Sequence, residues 1–173
     1  MRRPLLVVFI SGLVAGLAVV VGAVFFSVVN PHPLPFEEYI GGLLLQRTGL
    51  FSAVIGALVL IAFHGLIALS HAATFKYVFR GASGPAIGVM TSLIHWIFVG
   101  FIVGWLSFLS GPVAPPGYFF LEWGNEPSSM TILLYVVYGL IVGSAHDWAY
   151  HKYSQARVSS LEARAVPKYK KAA

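Results

Sequence analysis

The sequence predicts an all-α membrane protein, a polytopic bundle of four helices that each cross the bilayer. Three observations predict it. The 173 residues are 58% hydrophobic and only 10% charged, with mean hydropathy +0.82, whereas soluble domains carry about a quarter charged residues. Four apolar runs each reach the roughly 20 residues that a bilayer core demands. The basic residues stand at the ends of those runs rather than along them.

Taken in order, Met1-Arg2-Arg3 opens an uncharged stretch too long for the roughly 7–15-residue core of a signal peptide, so it is read as span one, about Leu5 to Val29. Pro31, Pro33 and Pro35 end it by removing backbone donors. The loop from Phe36 to Gly49 alternates apolar and acidic residues, which suits either a short helix lying on the membrane surface or an irregular cap. Span two runs from about Leu50 to Phe75, span three from about Pro85 to Leu109 and span four from about Met130 to Tyr150. Together residues 1–153 form the membrane domain. Residues 154–173 form a basic tail, in which a helix over Ser154 to Ala165 is ended by Pro167 and Lys168, Lys170 and Lys171 meet anionic lipid.

Orientation follows from charge. Arg2, Arg3, Lys76, Arg80, Lys152, Arg157, Arg164, Lys168, Lys170 and Lys171 all fall on one side, and Arg47 alone falls on the other. That bias places both termini in the cytoplasm. The net charge of +5 is thus a topology signal, and no nucleic-acid partner is expected. Glu37, Glu38, Glu122 and Glu126 stand on the outer side with Tyr39, Tyr118, Phe119, Phe120 and Trp123, an expected aromatic belt.

A weak repeat at an offset of about 72 to 75 residues pairs the first two spans with the last two. Gly12 and Gly16 correspond to Gly84 and Gly88, and Gly65, Ser70, His71 and Lys76 correspond to Gly139, Ser144, His146 and Lys152. Two hairpins that each start and end inside are parallel repeats, unlike the inverted repeats of alternating-access transporters. Gly12/Gly16, Gly84/Gly88, Gly100/Gly104 and Gly139/Gly143 stand four apart and are expected to bring helix backbones together.

The polar residues within the spans are the candidate site, since ionisable groups there are functional candidates by default. Counting residues puts His64 and His95 near mid-depth, and His71 and His146 near the cytoplasmic boundary. One reading makes them axial ligands of a haem b, paired as His64 with His95 or His71 with His146, or ligands of a metal. The two levels are only about 10 Å apart, which limits the count to one haem. A second reading has the imidazoles hydrogen-bonding across helices to Ser70, Thr74, Thr91, Ser92 or Tyr138, with no cofactor bound. A third uses them as a proton ladder, with His146 beside Asp147. His146-Asp147-x-x-x-His151 also has helical spacing for a surface metal.

There is no Gly-x-Ser-x-Gly elbow, phosphate loop or His-Glu-x-x-His helix, and the chain is expected not to be an enzyme. Cysteine is absent, which removes disulfide and thiolate chemistry.

The stretch from Phe63 to Gly143 resembles the YagU-type family of small four-helix bacterial inner-membrane proteins. The shared features are Phe63-His64-Gly65, a basic turn leading to Gly84 and Gly88, His95, the prolines Pro112, Pro115 and Pro116, Glu122, and a small-residue final helix. Tyr135 and Tyr138 stand where that family would place a histidine. The resemblance implies a multi-pass inner-membrane protein linked loosely to acid or envelope stress. The leading functional expectation is a non-enzymatic structural or accessory component of a membrane assembly, whose partners are lipid and either further copies of itself or other membrane subunits.

Overall fold

In a computed structural model, described over residues 2–80, 82–109 and 111–165 with side-chain surroundings between Leu5 and Lys152, the chain is all-helical. Its elements are α1 (Arg2–Val29), α2 (Phe36–Leu45), α3 (Leu50–Tyr77), α4 (Pro85–Leu106), a 3-10 turn (Tyr118–Trp123) and α5 (Asn125–Ala165). Among the described residues, α1, α3, α4 and α5 are long and apolar enough to cross a membrane. The expected stop at Pro167 and the terminal lysines lie outside the described residues.

Boundaries differ from the sequence reading in three places. The second span persists to Tyr77, and the third ends at Leu106, where the chain turns through Ser107 to Leu109. The fourth begins at Asn125 rather than Met130. Pro127 falls in its first turn, where a backbone N–H has no helical acceptor to lose. The same helix continues without a break into the tail, as expected.

Two close hairpins result, α1 with α3 and α4 with α5, and α1 also packs along α5. The α3–α4 pair is different: the two backbones meet at few points. One core lies where Ala15, Val19 and Ala23 of α1 and Ile67, Ala68 and Ala72 of α3 meet Leu134, Tyr138 and Val142 of α5. A second gathers Val99 and Val103 of α4, Phe120 of the 3-10 turn and Tyr135 of α5.

Glycine sets the helix spacing, largely as its four-residue intervals imply. A Cβ on Gly12 would strike Ala68 and Gly65 of α3, and one on Gly88 would strike the backbone of Gly139 and Gly143 in α5. Gly16 lies against His64, and Gly143 against the Gly84 carbonyl. Gly100 and Gly104 correct the expectation. Their faces receive the rings of Phe119 and Tyr118 instead of another helix backbone.

The α2 helix does not lie flat on a surface. It folds back along α3, with Gly41 against the Ser52 carbonyl and Gly56 of α3 against the Glu37 carbonyl. Tyr39 is consequently core rather than belt: it is buried, packs at 6.0 Å on Trp123, and its hydroxyl donates to the Leu106 carbonyl at 3.2 Å. Phe120 is also buried, 5.2 Å from Phe36. α2 thus packs on α3 and meets the end of α4 through the Tyr39–Leu106 bond.

Phe119 (φ 54, ψ 26) and Phe120 (φ 64, ψ 17) are consecutive left-handed residues, a conformation costing roughly 1–2 kcal/mol each for a bulky side chain. Packing holds them there. Phe119 sits against Trp96 and Phe101 at 5.2 and 5.1 Å, and Ser128 donates to its carbonyl at 2.7 Å.

Candidate functional site

Away from α2, the gap between α3 and α4 is bridged by side chains. On α3, His64 and His71 are seven apart and both buried, so they share one face of the helix. Each uses Nδ1–H to donate to a carbonyl one turn back: His64 to Leu60 at 2.7 Å and His71 to Ile67 at 3.1 Å. His95 on α4 does the same to Thr91 at 2.8 Å. A carbonyl only accepts, so in each neutral ring Nδ1 carries the hydrogen and Nε2 carries the lone pair.

The three Nε2 atoms meet different surroundings. His71 Nε2 lies 3.1 Å from Ser92 Oγ on α4, and His95 Nε2 lies 2.7 Å from Ser70 Oγ on α3. These reciprocal bonds cross the gap in both directions. The two rings stack between them, with centroids 4.5 Å apart and planes at 15°. His64 Nε2 is buried without a partner. It faces Tyr138 and Tyr135 at 5.1 and 6.1 Å, and Tyr138 donates its hydroxyl hydrogen to the His64 carbonyl at 2.6 Å.

His146 turns into the bundle against Phe75, centroids 4.7 Å apart, with Nδ1 buried and unpartnered. Its neighbour Asp147 points elsewhere, accepting from Ser83 Oγ at 2.8 Å and lying 3.4 Å from His151 Nε2. Asp147 and His151 border an open groove of about 560 Å³ with Pro85, Ser144, Trp148 and Lys152. The spacing of His146, Asp147 and His151 therefore does not make one site, because His146 faces the core.

The histidine pairings expected from depth are not the ones formed. His95 meets His71 rather than His64, and Phe75 touches both His71 and His146. A haem between two imidazoles needs both lone pairs to converge on one iron. Stacked rings present faces to one another, and their Nε2 atoms go to opposite helices, so the closest pair does not fit the group. Among the described residues no three His, Asp or Glu side chains gather for a metal.

Outside the candidate spans, the Glu37 carboxyl on α2 is half-buried with Oε2 unpartnered. Burial raises its pKa above the ordinary carboxylate range, and the adjacent Glu38 adds to the rise. Burial likewise raises the Tyr39 hydroxyl. Glu38 is used locally, its Oε1 accepting from the Gly49 N–H at 2.9 Å.

The expected imidazole bonds to Ser70 and Ser92 form across the helices, but their reciprocal arrangement was not foreseen. Ser70 and Ser92 each stand on the helix opposite the imidazole they serve, and the spacing of 70/71 and 92/95 carries that signal only once α3 and α4 are known to face each other. Sequence reasoning missed Trp96, whose Nε1–H donates to Thr131 Oγ1 at 2.9 Å and ties α4 to α5.

Neither known protein families, nor curated proteins, nor solved structures give a match to this chain.

Proposed function

We propose that this chain is a non-enzymatic, four-span membrane protein that acts as an accessory component of a membrane assembly, docking another membrane helix along its α3–α4 seam. The observation that carries the reading is the exposure of Ser70 at that seam, about two turns in from the basic end of α3, beside half-buried His95 and Thr74. Polar groups facing hydrocarbon are costly, and they are normally turned inward or covered. Here they face outward, and a neighbouring helix would cover them. The flanking surface is uniformly apolar, with Phe63, Leu66, Met90, Ile94 and Phe98 exposed.

The charge bias supports an inner-membrane orientation with both termini in the cytoplasm. The two tight glycine-lined hairpins are compatible with an internal duplication, but its two-fold symmetry is broken where α1 lies close to α5 and α3 stands off from α4. A haem b subunit is the alternative that the ring stacking disfavours. Extraction in mild detergent tests the main reading. The chain is expected to migrate as an oligomer or with a co-purifying membrane subunit, and a strictly monomeric particle under all conditions would contradict it.

A further inference from the structure

We propose that the groove between the start of α4 and the basic end of the α5 span binds the headgroup of one phosphatidylethanolamine molecule, with Asp147 taking its ammonium and Lys152 its phosphate. The groove, of about 560 Å³, is bordered by Pro85 of α4 and by Ser144, Asp147, Trp148, His151 and Lys152 of α5. Residues 144, 148 and 152 form one row along α5, and 147 and 151 form the row beside it. The groove opens where both apolar lengths reach the basic side, Pro85 at the start of one and Lys152 at the end of the other. That is headgroup depth, and Trp148, 56% exposed, is a side chain that favours it.

Two opposite charges line this groove without meeting. Asp147 Oδ1 accepts from Ser83 Oγ at 2.8 Å and lies 3.4 Å from His151 Nε2. The loop before α4 thereby fixes the carboxylate, whereas Oδ2 takes no hydrogen bond from any described residue. The Lys152 ammonium folds back one turn to lie 4.7 Å from the Trp148 ring centroid, toward the level of Asp147. Among the described residues it forms no ion pair, with Asp147 or with any other carboxylate. Each group thus keeps its capacity for a charge of opposite sign, and the exposed Ser144 hydroxyl on the same row adds a donor.

A ligand that fills both places carries a cation and an anion a short distance apart. Phosphatidylethanolamine does, with an ethylene link between phosphate and ammonium and N–H groups that can donate to Oδ2. Phosphatidylcholine has the same charges, but its methylated nitrogen has no hydrogen to donate. Phosphatidylglycerol has no cation to meet Asp147. The apolar surface continuing from the groove selects a lipid over a soluble zwitterion. One and three turns deeper along the Ser144 side of α5, Leu140 and Leu133 are 43% and 55% exposed, a track for an acyl chain.

The site rests on the four-span placement but not on the docking seam, since the groove lies on α4 and α5 and a chain without a partner still tests it. Alkaline extraction of the source membranes, in which the chain must stay in the pellet, checks the placement separately. The full chain is delipidated in a neutral maltoside detergent and titrated with phosphatidylethanolamine, phosphatidylcholine or phosphatidylglycerol of matched acyl chains, and adducts are counted by native mass spectrometry. One phosphatidylethanolamine is expected to bind about tenfold more tightly than phosphatidylcholine. Asp147→Asn should bring the two lipids to the same affinity. Lys152→Gln, at an exposed position, should weaken both by a similar factor and keep their ratio. Equal binding of the two lipids by the parent chain, tighter binding of phosphatidylglycerol, or an unchanged ratio in Asp147→Asn would each overturn the proposal. So would competition by soluble glycerophosphoethanolamine at the same concentration as the lipid, which would make the ligand a soluble zwitterion.

Discussion

The α4–α5 and α3–α4 seams join neighbouring helices of similar composition by opposite means. At α4–α5 glycine meets glycine, so Gly88 lies on Gly139 and Gly143 with no side chain between them. At α3–α4 the backbones stand off and imidazole–serine bonds cross the space. In a bilayer, apolar surface alone gives helices no reason to associate, so contact depends on close packing or on interhelical hydrogen bonds. The first kind of seam has one geometry. The second can change its bonding without moving its helices, which suits a site for a partner.

The largest expected effect breaks the close seam. Gly88→Ala puts a methyl group into the Gly139 carbonyl, and neither backbone can yield without separating the helices. A loss of about 3 kcal/mol is expected in SDS-titration unfolding. Gly104→Ala sharpens the contrast, since its methyl meets the ring of Tyr118, which is 47% exposed and free to swing away. It should cost about 1 kcal/mol or less.

At the bridged seam, His71→Ala opens a buried cavity and removes the bond to Ser92, whose hydroxyl keeps the Gly88 carbonyl, for an expected loss of about 2 kcal/mol in the same assay. Ser70→Ala removes only an exposed bridge and should cost about 0.6 kcal/mol. A Ser70→Ala loss as large as that of Gly88→Ala would erase the distinction between the seams.

The smallest effect concerns α2, which packs on α3. Burial raises the Glu37 pKa in the folded chain, so the folded state binds the proton more readily than the unfolded one. Its contribution to stability is present at pH values below the unfolded pKa, near 4.5, and is lost as pH rises through the raised folded value. Glu37→Gln should therefore melt above the parent at neutral pH, and the gap should close as pH approaches 4. A gap that widens with acid would reverse the assignment.

The four long apolar helices were legible because a bilayer-crossing length and an apolar composition can both be counted. Gly12, Gly16, Gly84, Gly88, Gly139 and Gly143 were legible for a related reason, as a four-residue interval defines a helix face. Gly41 and Gly56 were not, since their contact joins a loop helix to a span and no interval links them. The histidine pairing failed on which helix faces each level of α3. Measured from the basic end, His95 lies about ten residues deep, between His71 at about six and His64 at about thirteen, so depth alone cannot choose its partner. Both rings reach Tyr138, but His64 lies against Gly16 of α1 and His71 against Ser92 of α4. The left-handed Phe119 and Phe120 were equally hidden, because packing imposes a conformation that their own preferences oppose.

The most direct test of the docking seam uses the absence of native cysteine. A photo-crosslinker is attached in native membranes to Thr74→Cys at the seam and, separately, to Leu17→Cys on the exposed side of α1. Thr74→Cys is expected to capture a protein adduct of defined mass, and Leu17→Cys lipid alone. Lipid adducts alone at both positions would contradict a docked α3–α4 seam.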